Sequence, residues 1–360
     1  MRSGTSRGPF FLADWLPQET EQRNRLLLAI MGSPHSLQID GLGGGNTLTS
    51  KVAIVSPSQK EGCDVDYLFA QVAVDRAIVD THPNCGNMLA AVAPFAIEQG
   101  LVRACEDGIS LVHIHNLNTG SMVQARVQTP NGKVTYGGNV AMDGVNGLAA
   151  PVALDFIDVW GKTTGHIFPN KGLRQTCING IHTTLIDAGI PMMLLHAADF
   201  GLHGTETADD INRNNALLAQ VESMRLQAGK MMGLGDVSHK VIPKPALLSI
   251  PDSASSCRAQ NYLRIHSRYL TPHRCHASHS VTGAIGISTA LLLPETLAHT
   301  LANPQKKYKD AEQTIDIMHP SGCLQIIARH NEKGAIVSMG VVRTVRKIME
   351  GQFFLPPNFT

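Results

Sequence analysis

Asn84-Cys85-Gly86-Asn87 stands directly before an apolar, alanine-rich run that begins at Met88. A thiol at a helix start meets free backbone N–H groups and the positive end of the helix dipole. Such a setting lowers a thiol pKa and also receives a carboxylate. The same place can therefore hold an anionic ligand and supply a thiolate base. A small cysteine that merely packs is the plain alternative, and the polar flanks favour function. Lys51 opens the apolar run Val52-Ala53-Ile54-Val55. A lysine at a strand end can project into a cleft, where desolvation or neighbouring cations make it a usable base. A solvated strand-end lysine is the commoner case, and residue chemistry alone leaves both open. Cys275 precedes a second apolar run and reads as the counterpart of Cys85. Around it, His273, His276 and His279 recur every third residue, which scatters them around a helix. Substrate contact or capping is favoured there over a metal site. Gly41-Leu42-Gly43-Gly44-Gly45 has neither the Walker A nor the Rossmann spacing, and no GxSxG, HExxH or DxDxDG occurs.

Paired elements must position these groups. Gly4 to Asp14 resembles Gly189 to Asp199, Gly41-Leu42-Gly43 matches Gly233-Leu234-Gly235, Lys51 to Ser56 matches Lys244 to Ser249, and Pro83 to Cys85 resembles Pro272 to Cys275. The separations all fall at about 185 to 193 residues, in order, which predicts two structural halves of ordinary domain size. Leu111–His115, Ala125–Thr129, Ala149–Phe156 and Ile190–Leu195 read as strands, with a hairpin turn at Pro130-Asn131-Gly132. Thr20–Met31 has helical spacing with Thr20 as the expected N-cap, and Asp209–Met231 is its counterpart. Asn87–Gln99, ending at Gly100, and Ser280–Leu293 are apolar all round, hence buried helices. Each half is expected to wrap sheet around one such helix, each helix starting just after a cysteine.

Composition narrows the function. The chain has 360 residues, 43% hydrophobic and 16% charged, with 5% aromatics, 33 Gly and 19 Pro. A net charge of +1 offers no basic field for a nucleic acid. No run of 18 apolar residues suggests a membrane span, and Met1–Leu12 lacks a signal-peptide core. The 7 cysteines are widely spaced without CxxC, which implies free thiols in a reducing, cytoplasmic setting. The sequon Asn358-Phe359-Thr360 carries little weight without a secretory signal.

Longer strings sharpen this reading. Met1 to Gly8, Asp40 to Gly45, Leu48 to Ile54, Asp64 to Gln71, Asn84 to Met88, Leu234 to Ser238 and His319 to Gly322 resemble the PrpF family of isomerases, in order and over essentially the whole chain. The resemblance implies a diaminopimelate-epimerase-like α/β fold of two pseudo-symmetric halves. These are expected at 1–172, completed by 341–360, and at 173–340, with the active site in the cleft between them. It implies a proton shift in a small unsaturated di- or tricarboxylate such as 4-oxalomesaconate or aconitate, without metal, nucleotide or pyridoxal cofactor. Lys51 and Cys85 match the family's acid/base residues. Arg2, Thr5, Ser6, Ser50, Asn84, Gly86 and Asn87, with His273, Arg274, Cys275, Ser321 and Gly322, are expected to contact substrate. A homodimer fits the reading, and no nucleic-acid or membrane partner is expected. Ser3 replaces a usual glycine, and the chain begins inside its first motif, where a missing strand would expose a sheet edge. Two other readings stand beside this one. An amino-acid epimerase of the same fold would use Cys85 and Cys275 as a symmetric pair. An accessory protein for an aconitase-type iron–sulfur dehydratase would need no poised acid and base, which the Lys51 and Cys85 pair disfavours.

Overall fold

A computed structural model gives the fold and describes residues 1–251, 262–271, 273–302, 311–356 and 359. Cys257, Pro272, Asn358 and Thr360 lie outside the described residues. The chain divides into two compact units, Met1–Ile157 with Val342–Thr360, and Asp158–Val341. The sequence reading set the first boundary later, at 172.

Unit one carries β1 (Arg2–Ser3), β2 (Ser6–Arg7), β3 (Phe10–Leu12), β4 (Lys51–Pro57), β5 (Val65–Val72), β6 (Val79–Asp80), β7 (Asp107–Asn116), β8 (Met122–Pro130), β9 (Val140–Met142), β10 (Val145–Ala149) and β11 (Pro151–Phe156). Its helices are α1 (Thr20–Met31), α2 (Gly86–Leu89) and α3 (Val92–Glu98). Unit two carries β12 (Thr176–Ile178), β13 (Ile181–Ala188), β14 (Ile190–His196), β15 (Lys244–Ser249), β16 (Tyr262–Tyr269), β17 (Glu312–His319) and β18 (Gly322–His330). Its helices are α4 (Ala208–Arg213), α5 (Asn215–Met231), α6 (Val281–Leu292) and α7 (Leu297–Ala302). A last strand, β19 (Ile336–Arg346), pairs through its first residues with β18 and through Val345 and Arg346 with β1. β1 also pairs with β2, so the first strand has a neighbour on each side.

The sequence repeat is a repeat of topology. In unit one β3 runs parallel to β4, β4 antiparallel to β5, β5 parallel to β7, and β7 antiparallel to β8. In unit two β14, β15, β16, β17 and β18 follow the same four steps. Parallel neighbours need a crossover, and helices supply each one. α1 joins β3 to β4, and α4 with α5 joins β14 to β15; α2 with α3 joins β5 to β7, and α6 with α7 joins β16 to β17. The last pair are the buried helices. α3 buries Val92 to Ala96 against β4, β7 and β8, and α6 is buried along nearly its whole length against β13, β14, β17 and β18.

Details of the predicted elements change. α1 has the expected bounds, but its N-cap is Glu19, whose carboxylate accepts from the N–H groups of Glu21 and Gln22. The expected 209–231 helix is two helices. Asn214 breaks it by taking a non-helical conformation and capping α5 through Leu217 N–H, while Thr207 and Asp210 form a capping box on α4. The second buried helix is capped by Ser280, which accepts from Gly283 N–H, and not preceded directly by Cys275.

Candidate active site

β5 is the mount of the site. Alternate residues of a strand share a face, so Tyr67, Phe69 and Gln71 line up together. Gln71 stands directly opposite Lys51 in the register of β4 and β5. Lys51 Nζ donates to Gln71 Oε1 at 2.7 Å and lies 5.0 Å from the centre of the Phe69 ring. Tyr67 O–H donates to the carbonyl of Cys85 at 3.3 Å, and burial holds this phenol well above its usual pKa, so it stays a donor. Asn118 clamps the strand between them, accepting from Phe69 N–H at 2.8 Å and donating to Phe69 C=O at 2.9 Å.

The segment before Lys51 is fixed from behind. Gln38 Nε2 donates to Ser50 Oγ at 2.7 Å, and Ser50 Oγ donates to Val72 C=O at 2.8 Å. The glycine run wraps Gln38, and a Cβ at Gly43 would come within 2.2 Å of its side chain. The run is therefore a close-packed support and not a phosphate cradle. Ser50 was expected to touch substrate; its hydroxyl is fully buried and occupied, so its role is to hold the turn before Lys51.

Cys85 is the N-cap of α2, but the helix expected over 87–99 is two, the four-residue α2 and then α3, with Ala90 and Ala91 between them. Its thiol caps nothing, and the N–H groups of Gly86 and Asn87 find no acceptor among the described residues. Asn84 is held by Asn116, whose Nδ2 donates to Asn84 Oδ1 at 2.8 Å. Ser3 turns inward: its hydroxyl donates to Met88 C=O at 3.2 Å and to Asn87 C=O, and accepts from Ala91 N–H at 2.9 Å.

Asn87 links Cys85 to the first hairpin. Its Oδ1 accepts from Arg343 Nε at 3.2 Å, which turns its Nδ2 toward Thr5 Oγ1 at 3.0 Å. Thr5 thus accepts from Asn87 and keeps its own O–H free to donate. The Ser6 hydroxyl is buried and has no partner among the described residues. Arg343 is buried without an ion pair among the described residues, and burial pushes its guanidinium down to about 10. Arg2, Thr5 and Ser6 line a cavity of about 760 Å³ with Arg7, Thr49 and Arg346, and no acidic residue lines it among the described residues. Arg2 itself is fixed by Thr344, whose Oγ1 accepts at 2.8 Å. Lys51 and Cys85 do not line this cavity; the Asn87 to Thr5 bond ties the helix start to its wall.

The remaining expected residues belong to unit two. His273 is mostly exposed, 3.7 Å from Glu222, and Arg274 is exposed, its carbonyl accepting from Thr271. Cys275 is buried, with burial pushing its thiol up to about 11, and its N–H donates to Asn212. Ser321 donates to Ala277 C=O, and Gly322 starts β18 with φ +137°. The metal reading of the histidines fails at His279. This buried imidazole donates from Nδ1 to Ser280 C=O and accepts at Nε2 from Ser267, and burial pushes it down to about 3. Among the described residues, no group of three His, Cys, Asp or Glu could hold a metal ion. No helix there is long and apolar enough to cross a membrane.

Sequence reasoning missed Tyr67, Gln71, Asn116, Arg343 and Arg346. Tyr67 and Gln71 stood inside a motif that had been singled out, but without a role. The Arg343 side chain returns to unit one from the far end of the chain.

Residues 1–356 match the PrpF protein family. The chain belongs to the PrpF family. Among its relatives, the (4E)-oxalomesaconate Delta-isomerase of Novosphingobium sp. (strain KA1) is 43% identical over 355 residues, covering 99% of this chain and 96% of that one. The 3-methylitaconate isomerase of Eubacterium barkeri is 35% identical over 369 residues, covering 99% and 96%. The crystal structure of methylitaconate-delta-isomerase superposes with a TM-score of 0.83 at 33% identity, covering 97% of this chain and 92% of that one. That likeness shows that this chain shares its mixed α/β fold with a solved structure over nearly its whole length.

Proposed function

We propose that this PrpF-family chain is an isomerase that moves a proton along the allylic or keto–enol system of a small unsaturated polycarboxylate, with Lys51 and Cys85 as the two proton carriers. One observation carries the reading: a single face of β5 holds Lys51 through Gln71 and the Cys85 segment through Tyr67. Two groups that must serve two carbons of one substrate need a common rigid support.

A 1,3-proton shift removes a proton from carbon, leaves a dienolate, and returns a proton at the far carbon. The negative charge gathers on a carboxylate or keto oxygen, and donors aimed at that oxygen supply the largest stabilisation. The chain offers the unfilled N–H groups of Gly86 and Asn87, the free hydroxyls of Thr5 and Ser6, and the positive field of Arg2, Arg7, Arg343 and Arg346. These suit two or three carboxylates better than one. The relatives named for oxalomesaconate and methylitaconate act on compounds of this chemical class, which supports the assignment. An epimerase using a cysteine pair is disfavoured, because Ser280, not Cys275, occupies the matching N-cap.

The test is a panel of 4-oxalomesaconate, cis-aconitate, trans-aconitate and 3-methylitaconate, followed by ultraviolet absorbance with and without EDTA. Isomerisation of at least one, unchanged by the chelator, is the expected result. Loss of activity in EDTA that zinc restores, or silence with the whole panel, would sink it.

A further inference from the structure

We propose that Gln71 is a positioning residue for Lys51, a neutral acceptor that fixes where the lysine amine sits. This deepens the functional reading above and rests on it. The strand register gives Lys51 and Gln71 no freedom to avoid each other, since they are a directly opposed pair at the end of β4 and β5. The orientation of the Gln71 amide is also settled by its surroundings. Nε2 donates to Ser50 C=O at 2.8 Å and to Thr47 C=O at 3.2 Å, and carbonyls only accept. Oε1 must therefore face Lys51, and the lysine N–H is the donor in the 2.7 Å contact. Ser50 is itself locked by Gln38 and Val72, so the amide is anchored to a rigid turn.

The neutrality of this partner matters. No carboxylate forms an ion pair with Lys51 among the described residues, and the Phe69 ring face is its other neighbour. A carboxylate at position 71 would hold the ammonium form and make the proton harder to give up. An amide fixes the same nitrogen in space without setting a negative charge beside it. A purely structural glutamine would be indifferent to this distinction.

The experiment compares wild type with Gln71→Met, Gln71→Glu and Lys51→Met. Lysine side-chain NMR of protein carrying ¹³C-lysine follows the titration of Lys51, whose signal is assigned by its loss in Lys51→Met; no substrate is needed. The Gln71→Glu variant is expected to raise the Lys51 midpoint by about 1 pH unit or more. Gln71→Met is expected to lower kcat about 10- to 100-fold on the best substrate of the panel, with KM nearly unchanged, and thermal melting confirms folding. An unmoved Lys51 midpoint in Gln71→Glu overturns the proposal whatever the activity. So does a Gln71→Met enzyme with wild-type kcat and pH profile. If the midpoint moves but Lys51→Met isomerises normally, Gln71 still positions Lys51, and the catalytic reading of Lys51 is what fails.

Discussion

Lys51 and Lys244 open matched strands. Each begins a strand flanked by a parallel neighbour and an antiparallel one, and each residue is 9% exposed. Their surroundings differ. Lys51 faces Gln71 across the register. β16 pairs with β15 only from Ala246↔Tyr269 onward, so no residue of β16 stands opposite Lys244. Lys244 has no hydrogen-bond acceptor among the described residues, and burial, with Arg225 nearby, pushes its amine down to about 8. The matched helix starts diverge in the same way, with Cys85 in unit one and Ser280 in unit two. A duplicated fold has kept its topology, while Lys51 and Cys85, the two proposed proton carriers, both lie in unit one. The cross-strand partner, more than the place in the fold, is what separates the two lysines.

The comparison can be broken most sharply by removing each lysine. Lys51→Met should cost about 10²- to 10⁴-fold in kcat, while Lys244→Met should stay within about twofold, both read by the isomerisation assay. Equal losses would mean that unit two shares the chemistry. Cys85→Ser should lose about 10²-fold and Cys275→Ser almost nothing, because that buried, high-pKa thiol is already bonded away from any helix start. Arg343→Met should act on binding, raising KM about tenfold or more, since it leaves the Asn87 amide free to turn from Thr5.

Smaller effects concern stability. The Lys244 amine is lowered from 10.5 to about 8 on folding, so the unfolded chain binds more protons between those values. Stability therefore rises with pH through that window, and below it the ammonium costs about 3 kcal/mol. Lys244→Met should raise the melting temperature at pH 7, with the gain shrinking as pH climbs past about 8. A constant gain across pH 7 to 10 would show that packing, not charge, sets the difference. Ser3→Ala should cost about 1 kcal/mol in denaturant melts, because the Ala91 N–H loses its 2.9 Å acceptor and keeps only the longer bond to Met88 C=O at 3.3 Å.

Much of this was legible in the sequence. Lys51 and Cys85 stood out because each joins a polar flank to an apolar run, and the repeat showed because small residues recur in order. Gln71 did not, because its role depends on strand register, which no local pattern states. Cys275 drew the eye for its chemistry, while Ser280, an ordinary N-cap, does the capping. Thr20 lost its cap to Glu19 for a related reason: either side chain could reach the first turn, and only the backbone path chooses. Ser50 looked like a ligand because it adjoins Lys51, yet strand alternation turns it to the other face.

The claim that Lys51 and Cys85 carry the proton between two carbons is tested most directly by running the panel in D₂O and locating deuterium in substrate and product by NMR, for wild type and Lys51→Met. Wild type should place deuterium at the carbons that lose and gain a proton, and Lys51→Met should show neither exchange nor isomerisation. Exchange at the wild-type rate in Lys51→Met would contradict the account.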